Sequence, residues 1–159
     1  MVNPQIPNFG ELLAPYLGSV SAEALPFLLS QLERTAAARY RGWAEEVTDH
    51  KESLLACAER EDEIADRVER LLPPSSADRD LVLGVMPQAK ETYYSVFEGL
   101  SAIDQMSIQA KAERQGAGAW QGLKAAYPQL ADDLDELSTI ELQSADCLDQ
   151  VLVALASDQ

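Results

Sequence analysis

The sequence predicts an all-α fold: an antiparallel four-helix bundle with one long crossover, built from two repeated helical hairpins. Three observations lead there. Sliding the chain by 80 positions lays residues 33–72 on 113–152 without a gap, and nine of those forty positions are identical. Ordinary composition gives roughly two or three such matches. Four stretches carry apolar residues at steps of three and four, the helical period. No segment alternates apolar and polar residues over a useful length, so no strand is expected.

The elements follow in order. Residues 1–20 carry Pro4, Pro7, Gly10, Pro15 and Gly18, which reads as an arm with at most a short helix around Phe9 to Leu17. Ser21 is placed to cap a first long helix running to about residue 48, with the stripe Leu29, Glu33, Ala36, Tyr40, Ala44, Val47. Pro26 falls near its first turn, where proline is tolerated. Thr48-Asp49-His50 reads as the turn into a second helix, residues 51–72, whose stripe is Leu54, Ala58, Glu61, Ala65, Val68, Leu72. Pro73-Pro74 stops it.

Residues 73–101 read as an irregular crossover, with a turn or two at Asp80 to Val85 and a further helical piece from Pro87 to Leu100. A third helix follows over 102–126, with the stripe Met106, Ala110, Glu113, Ala117, Trp120. Gly116 and Gly118 weaken it and open room for a close neighbour. Pro128 marks the next turn. The last helix, 129–156, has the cleanest stripe: Leu130, Leu134, Leu137, Glu141, Ser144, Leu148, Val151, Leu155. The organisation is an arm, 1–20, and one bundle domain, 21–159, with hairpins 21–72 and 102–156 around the crossover 73–101.

Composition narrows the partners. Twelve Lys and Arg against 27 Asp and Glu give a net charge of −15. Nucleic acid and anionic membranes both demand positive surface, so neither is an expected partner. No apolar run approaches the ~20 residues that span a bilayer. The first 18 residues hold one acid and no Lys or Arg, unlike a secretory leader. Two cysteines, Cys57 and Cys147, make no disulfide framework and read as reduced core residues of a cytoplasmic protein.

Each stripe has one glutamate near its middle: Glu33, Glu61, Glu113 and Glu141. In both halves the two glutamates are 28 residues apart and nearly equidistant from the intervening turn. All four carboxylates therefore converge at mid-bundle. Burying uncompensated carboxylates costs several kcal/mol each. A bound cation, protonation of the acids, or pairing with the adjacent Arg34 and Arg114 offsets that cost. Glu63 takes the place of Glu61 if the first turn is longer than it reads.

A duplicated hairpin with one inward glutamate per helix resembles the ferritin-like superfamily in its broad, rubrerythrin-like sense. That resemblance implies two iron or manganese ions, held by a glutamate on the first and third helices and a Glu-x-x-His on the second and fourth. Glu33 and Glu113 match the single glutamates; Glu61 and Glu141 match those that open the histidine motifs. The histidine positions hold Ile64 and Ser144, and the only histidine, His50, is eleven residues from Glu61. Four oxygen ligands without imidazole suit Mg, Ca or Mn better than a redox iron pair. The expected function is thus a ferritin-like metal-binding protein with weakened or lost di-iron chemistry. The alternative is a metal-free helical interaction module that meets a protein partner or a second copy of itself through residues 1–20 and 73–101.

Overall fold

A computed structural model describes residues 4–158. The expected arm and bundle extend to residues 1–3 and 159, which lie outside the described residues. Among the described residues the fold is all-helical, with six α-helices and no strand. The helices are α1 (Phe9–Leu17), α2 (Leu25–Glu46), α3 (Lys51–Leu71), α4 (Ser76–Ser95), α5 (Ala102–Gly122) and α6 (Ala131–Ser157). Short 3-10 turns at Thr48–His50, Leu123–Ala125 and Pro128–Leu130 make the bends into α3 and α6. No described helix is long and apolar enough to cross a membrane.

Polar caps set the starts. The side chains of Asn8, Ser75 and Ser101 accept from the backbone amides of Glu11, Asp78 and Asp104. Each satisfies an amide that the first helical turn leaves without a partner. Ser21 works differently from expectation. It closes a turn by accepting from the Ala24 amide, and α2 itself begins at Leu25 with Pro26 in its first turn.

The crossover is the main departure. The sequence reads as irregular over 73–101, yet α4 runs unbroken through Gly84 and Pro87. An interior proline loses one backbone hydrogen bond and typically costs ~3 kcal/mol. The Ser75 cap and the burial of Val82, Ala89 and Tyr93 on one face offset it. Leu81 and Leu83 remain exposed on the other face. After α4 the chain turns at Gly99, whose φ of 74° falls where a side chain would be strained.

Helices α2 and α3 pack along each other, α5 and α6 do the same, and α3 meets α6 between the pairs. Three apolar clusters fill the interior, the smallest being Ala24, Phe27 and Leu28 with Val82 of α4, and the two larger ones flank the middle of the bundle. One gathers Tyr40, Trp43, Leu54, Cys57, Met106 and Leu148. The other gathers Ile64, Val68, Trp120, Leu134 and Leu137. The four stripe glutamates occupy the layer between them. Helix α1 lies across α4 and α5. Its Phe9 amide donates to Gln115 Oε1 at 2.8 Å, and its Tyr16 hydroxyl meets Thr92 Oγ1 at 2.6 Å.

Candidate metal centre

Each of the four long helices α2, α3, α5 and α6 contributes one stripe glutamate. Carboxylate oxygens of Glu33, Glu61, Glu113 and Glu141, one from each, all lie within 4.8 Å of one another. Glu61, Glu113 and Glu141 are 0%, 2% and 1% exposed, so water screens them little. Glu33 is partly exposed, at the edge of a cavity of about 170 Å³ that also reaches Glu113 and Glu141. Helix α1 and Tyr93 of α4 form part of its wall. Glu63 is exposed and paired with Arg67 at 2.8 Å, so helix register sends Glu61 inward and Glu63 outward.

Arginine pairing, one of the three ways to offset the buried glutamates, is not what the chain makes. Arg34 binds Asp66 at 2.7 Å, Glu69 at 3.1 Å and Asp62 at 3.4 Å. Arg114 binds Asp149 at 2.5 Å and Asp146 at 3.5 Å. Neighbouring residues on an α-helix point about 100° apart, so an arginine that follows an inward glutamate leaves by the side of the helix. Among the described residues, no Lys or Arg pairs with any of the four glutamates.

Neutral donors reach only part of the cluster. The Tyr40 hydroxyl donates to Glu113 Oε1 at 2.9 Å, and Gln109 Nε2 donates to the same oxygen at 2.5 Å. The Tyr93 hydroxyl in turn donates to Gln109 Oε1. Trp120 Nε1 donates to Glu141 Oε1 at 2.9 Å. Both oxygens of Glu61, Oε2 of Glu141 and the hydroxyl of Ser144 are buried without a hydrogen-bond partner. Glu33, and then Ser144, stand near enough to oppose part of the rise in the Glu61 pKa, although neither closes a hydrogen bond of good geometry to it.

Electrostatics follow from this. Burial, then the charges of Glu141 and Glu61, push the Glu33 carboxyl well above the usual range. Burial and the Glu113 charge do the same to Glu61. Burial and the Glu141 charge raise Glu113. Glu141 is pushed up to about 7, chiefly by burial and then by Glu61, with the Trp120 hydrogen bond among the opposing influences. Burial beside Glu113 also raises the Tyr40 and Tyr93 phenols, so both remain hydrogen-bond donors.

One glycine shapes the floor. A Cβ on Gly116 would stand 3.0 Å from Glu141 Oε1 and 3.2 Å from its carboxyl carbon. The missing side chain makes room for that carboxylate. Gly118, two residues on, has nothing within 4 Å and plays no such part.

The stripes brought out the four glutamates and placed Tyr40 and Trp120 on the inner face. The donor roles of Tyr40, Gln109 and Trp120 have no sequence signal, because they depend on which helix faces which across the core. Gln109 comes nearest to one, standing four residues before Glu113 on the same face. Ile64, at one expected imidazole position, is fully buried in an apolar cluster.

The residues suit a hard divalent cation. Such ions take oxygen ligands, and the layer presents four carboxylates with three orphaned oxygens and a cradle cleared by Gly116. Comparison with protein-family models, curated proteins and solved structures found no match to this chain.

Proposed function

We propose that the chain is a ferritin-like protein that holds a divalent cation among Glu33, Glu61, Glu113 and Glu141. The observation that carries this reading is the convergence of four carboxylates that pair with no Lys or Arg among the described residues, with both Glu61 oxygens unpartnered. A cation supplies the positive charge and the missing partners together. Glu113 and Glu141 are held ready by Tyr40, Gln109 and Trp120. Glu33, at the cavity, is the ligand closest to solvent.

The family part of the reading is supported by a second recurrence at the same offset of 80. Arg34 with Asp66 and Glu69 is mirrored by Arg114 with Asp146 and Asp149. Two hairpins descended from one ancestor, α2–α3 and α5–α6, with α4 as the crossover, account for both this and the glutamates. Manganese, magnesium or calcium fits the ligand set better than a redox iron pair, since Ile64 and Ser144 supply no imidazole. A bound ion of this kind supplies Lewis acidity and a fixed positive charge.

Elemental analysis of protein purified without chelator, repeated on Glu61→Gln, tests the proposal. A divalent metal near stoichiometric amounts in the wild type and its loss in the variant are expected. Absence of metal from both, after incubation with Mn(II), Mg(II) and Ca(II), refutes it. That result favours the metal-free helical module, with the acids kept neutral by their raised affinity for protons.

A further inference from the structure

The two cysteines sit outside the glutamate layer, and their surroundings point to a chemistry of their own. Cys57 lies on α3 and Cys147 on α6, and both are free thiols. Each side chain reaches across to the other's helix. Cys57 Sγ is 4.0 Å from the carbonyl oxygen of Ser144, three residues before Cys147. Cys147 Sγ is 3.6 Å from the carbonyl oxygen of Ser53, four residues before Cys57. This reciprocal crossing brings both thiols into the seam between α3 and α6, each donating to a backbone carbonyl of the other helix. Cys57 is buried, whereas Cys147 is partly open to solvent. Arg60 places Nη1 3.6 Å from Cys57 Sγ.

We propose that Cys57 and Cys147 are a peroxide-reactive dithiol that closes to an intramolecular disulfide joining α3 to α6. The proposal does not depend on a cation among the glutamates, because the reaction needs only the thiols and a hydroperoxide. The roles divide by access. Cys147 is the attacking thiol, since it is the one a small oxidant can reach. The neighbouring Cys57 thiol, and then Arg60, draw its pKa down to about 6 against the opposing effect of partial burial. Cys57 is shifted the opposite way, by the neighbouring Cys147 sulfur and by burial, and it keeps its proton until it resolves the intermediate.

The Cys147 thiolate attacks the O–O bond of hydrogen peroxide. An S–O bond forms, the O–O bond breaks, and the departing hydroxide leaves as water after taking a proton. Cys147 is then a sulfenic acid. The Cys57 sulfur attacks that sulfur: the S–S bond forms, the S–O bond breaks, and the Cys57 proton goes to the departing hydroxide. Two thiols have lost two electrons and one peroxide has become two waters. A low-molecular-weight thiol reverses the change by exchange. The bond ties together the two helices that carry Glu61 and Glu141.

Peptide mapping tests this directly, because trypsin separates the two sites into residues 52–60 and 125–159. The full chain is treated with one equivalent of hydrogen peroxide, alkylated under denaturing conditions and digested. The expected product is a single cross-linked pair of these peptides, lost on reduction. Cys57→Ser is expected to stop at a Cys147 sulfenic acid that dimedone traps, and Cys147→Ser to leave Cys57 unoxidised. Full alkylation of both cysteines in the wild type overturns the proposal. So does a disulfide found only between two chains, or a sulfinic acid on Cys147 beside a free Cys57.

Discussion

The α2–α3 and α5–α6 pairs each bring two glutamates to the same layer, but they hold them differently. In α5–α6 both acids are anchored. Glu113 accepts from Tyr40 and Gln109, and Glu141 accepts from Trp120 in space left by Gly116. In α2–α3, Glu61 is fully buried with neither oxygen bonded, and Glu33 stands at the cavity. A buried polar atom without a partner costs about 1–3 kcal/mol. One side of the site therefore has its geometry fixed by neutral donors, whether or not charge is compensated. The other side is complete only when a cation or a proton sits between the acids. The lesson is that position and compensation are separable, and they are divided here between two helix pairs.

The largest effect expected from this division is on pH. Without a cation, these acids bind protons more tightly folded than unfolded. Stability is then fully present below the ordinary glutamate value and is lost as pH rises through the folded one. For Glu141 the window runs from about 4.5 to about 7. The coupled acids titrate together, and the loss runs at roughly 1.4 kcal/mol per pH unit for each acid that keeps its proton only in the folded state. Urea unfolding of chelator-treated protein at pH 4.5, 6 and 7.5 measures the decline. A flat profile means the acids are not buried as described.

Glu61→Gln sharpens the comparison next. It removes an unpartnered acid without changing its shape, so the cation-free chain gains about 2 kcal/mol at pH 7. The gain vanishes towards pH 4, where the wild-type acid is protonated in both states. Glu113→Gln, on the anchored side, gains less, because its oxygen already has donors. Equal gains from the two variants, read from the same urea curves, break the distinction between the pairs.

Gly116→Ala tests the cradle. Its Cβ would crowd the Glu141 carboxylate, and a weakening of Mn(II) affinity by about tenfold is expected, equivalent to ~1.4 kcal/mol. Gly118→Ala is the control within the same helix, with open space around it. It is expected to stabilise the chain by up to ~1 kcal/mol and to leave affinity unchanged. Calorimetric titration separates the two. The smallest effect belongs to Tyr40→Phe, which removes one of two donors to Glu113. It costs ~1 kcal/mol of stability, read from the denaturant midpoint.

Much of this architecture was legible in the sequence because stripes and turns are local. The short helix at Phe9, the turn at Thr48-Asp49-His50 and the stop at Pro73-Pro74 are written in a few residues each. Helix α4 was read as two separate helical pieces because Gly84 and Pro87 are strong local signals against a continuous helix, while what joins them is tertiary: Val82, Ala89 and Tyr93 face the core. The Ser75-to-Asp78 cap was the one local sign in its favour. The four glutamates were legible through their offset and their place within apolar stripes. Their partners were not, since Tyr40 and Glu113 are 73 residues apart and meet only across the core. Arg34 and Arg114 misled for the opposite reason: adjacency in sequence separates side chains around a helix rather than joining them.

Anomalous diffraction from crystals of the chain grown with Mn(II) shows whether a cation enters the glutamate layer. A manganese peak is expected in the layer between the two larger apolar clusters, with oxygens of Glu61, Glu113 and Glu141 in its coordination shell and Glu33 on the cavity side. A structure with no peak in that layer, and with the four carboxyls hydrogen-bonded to one another instead, contradicts it.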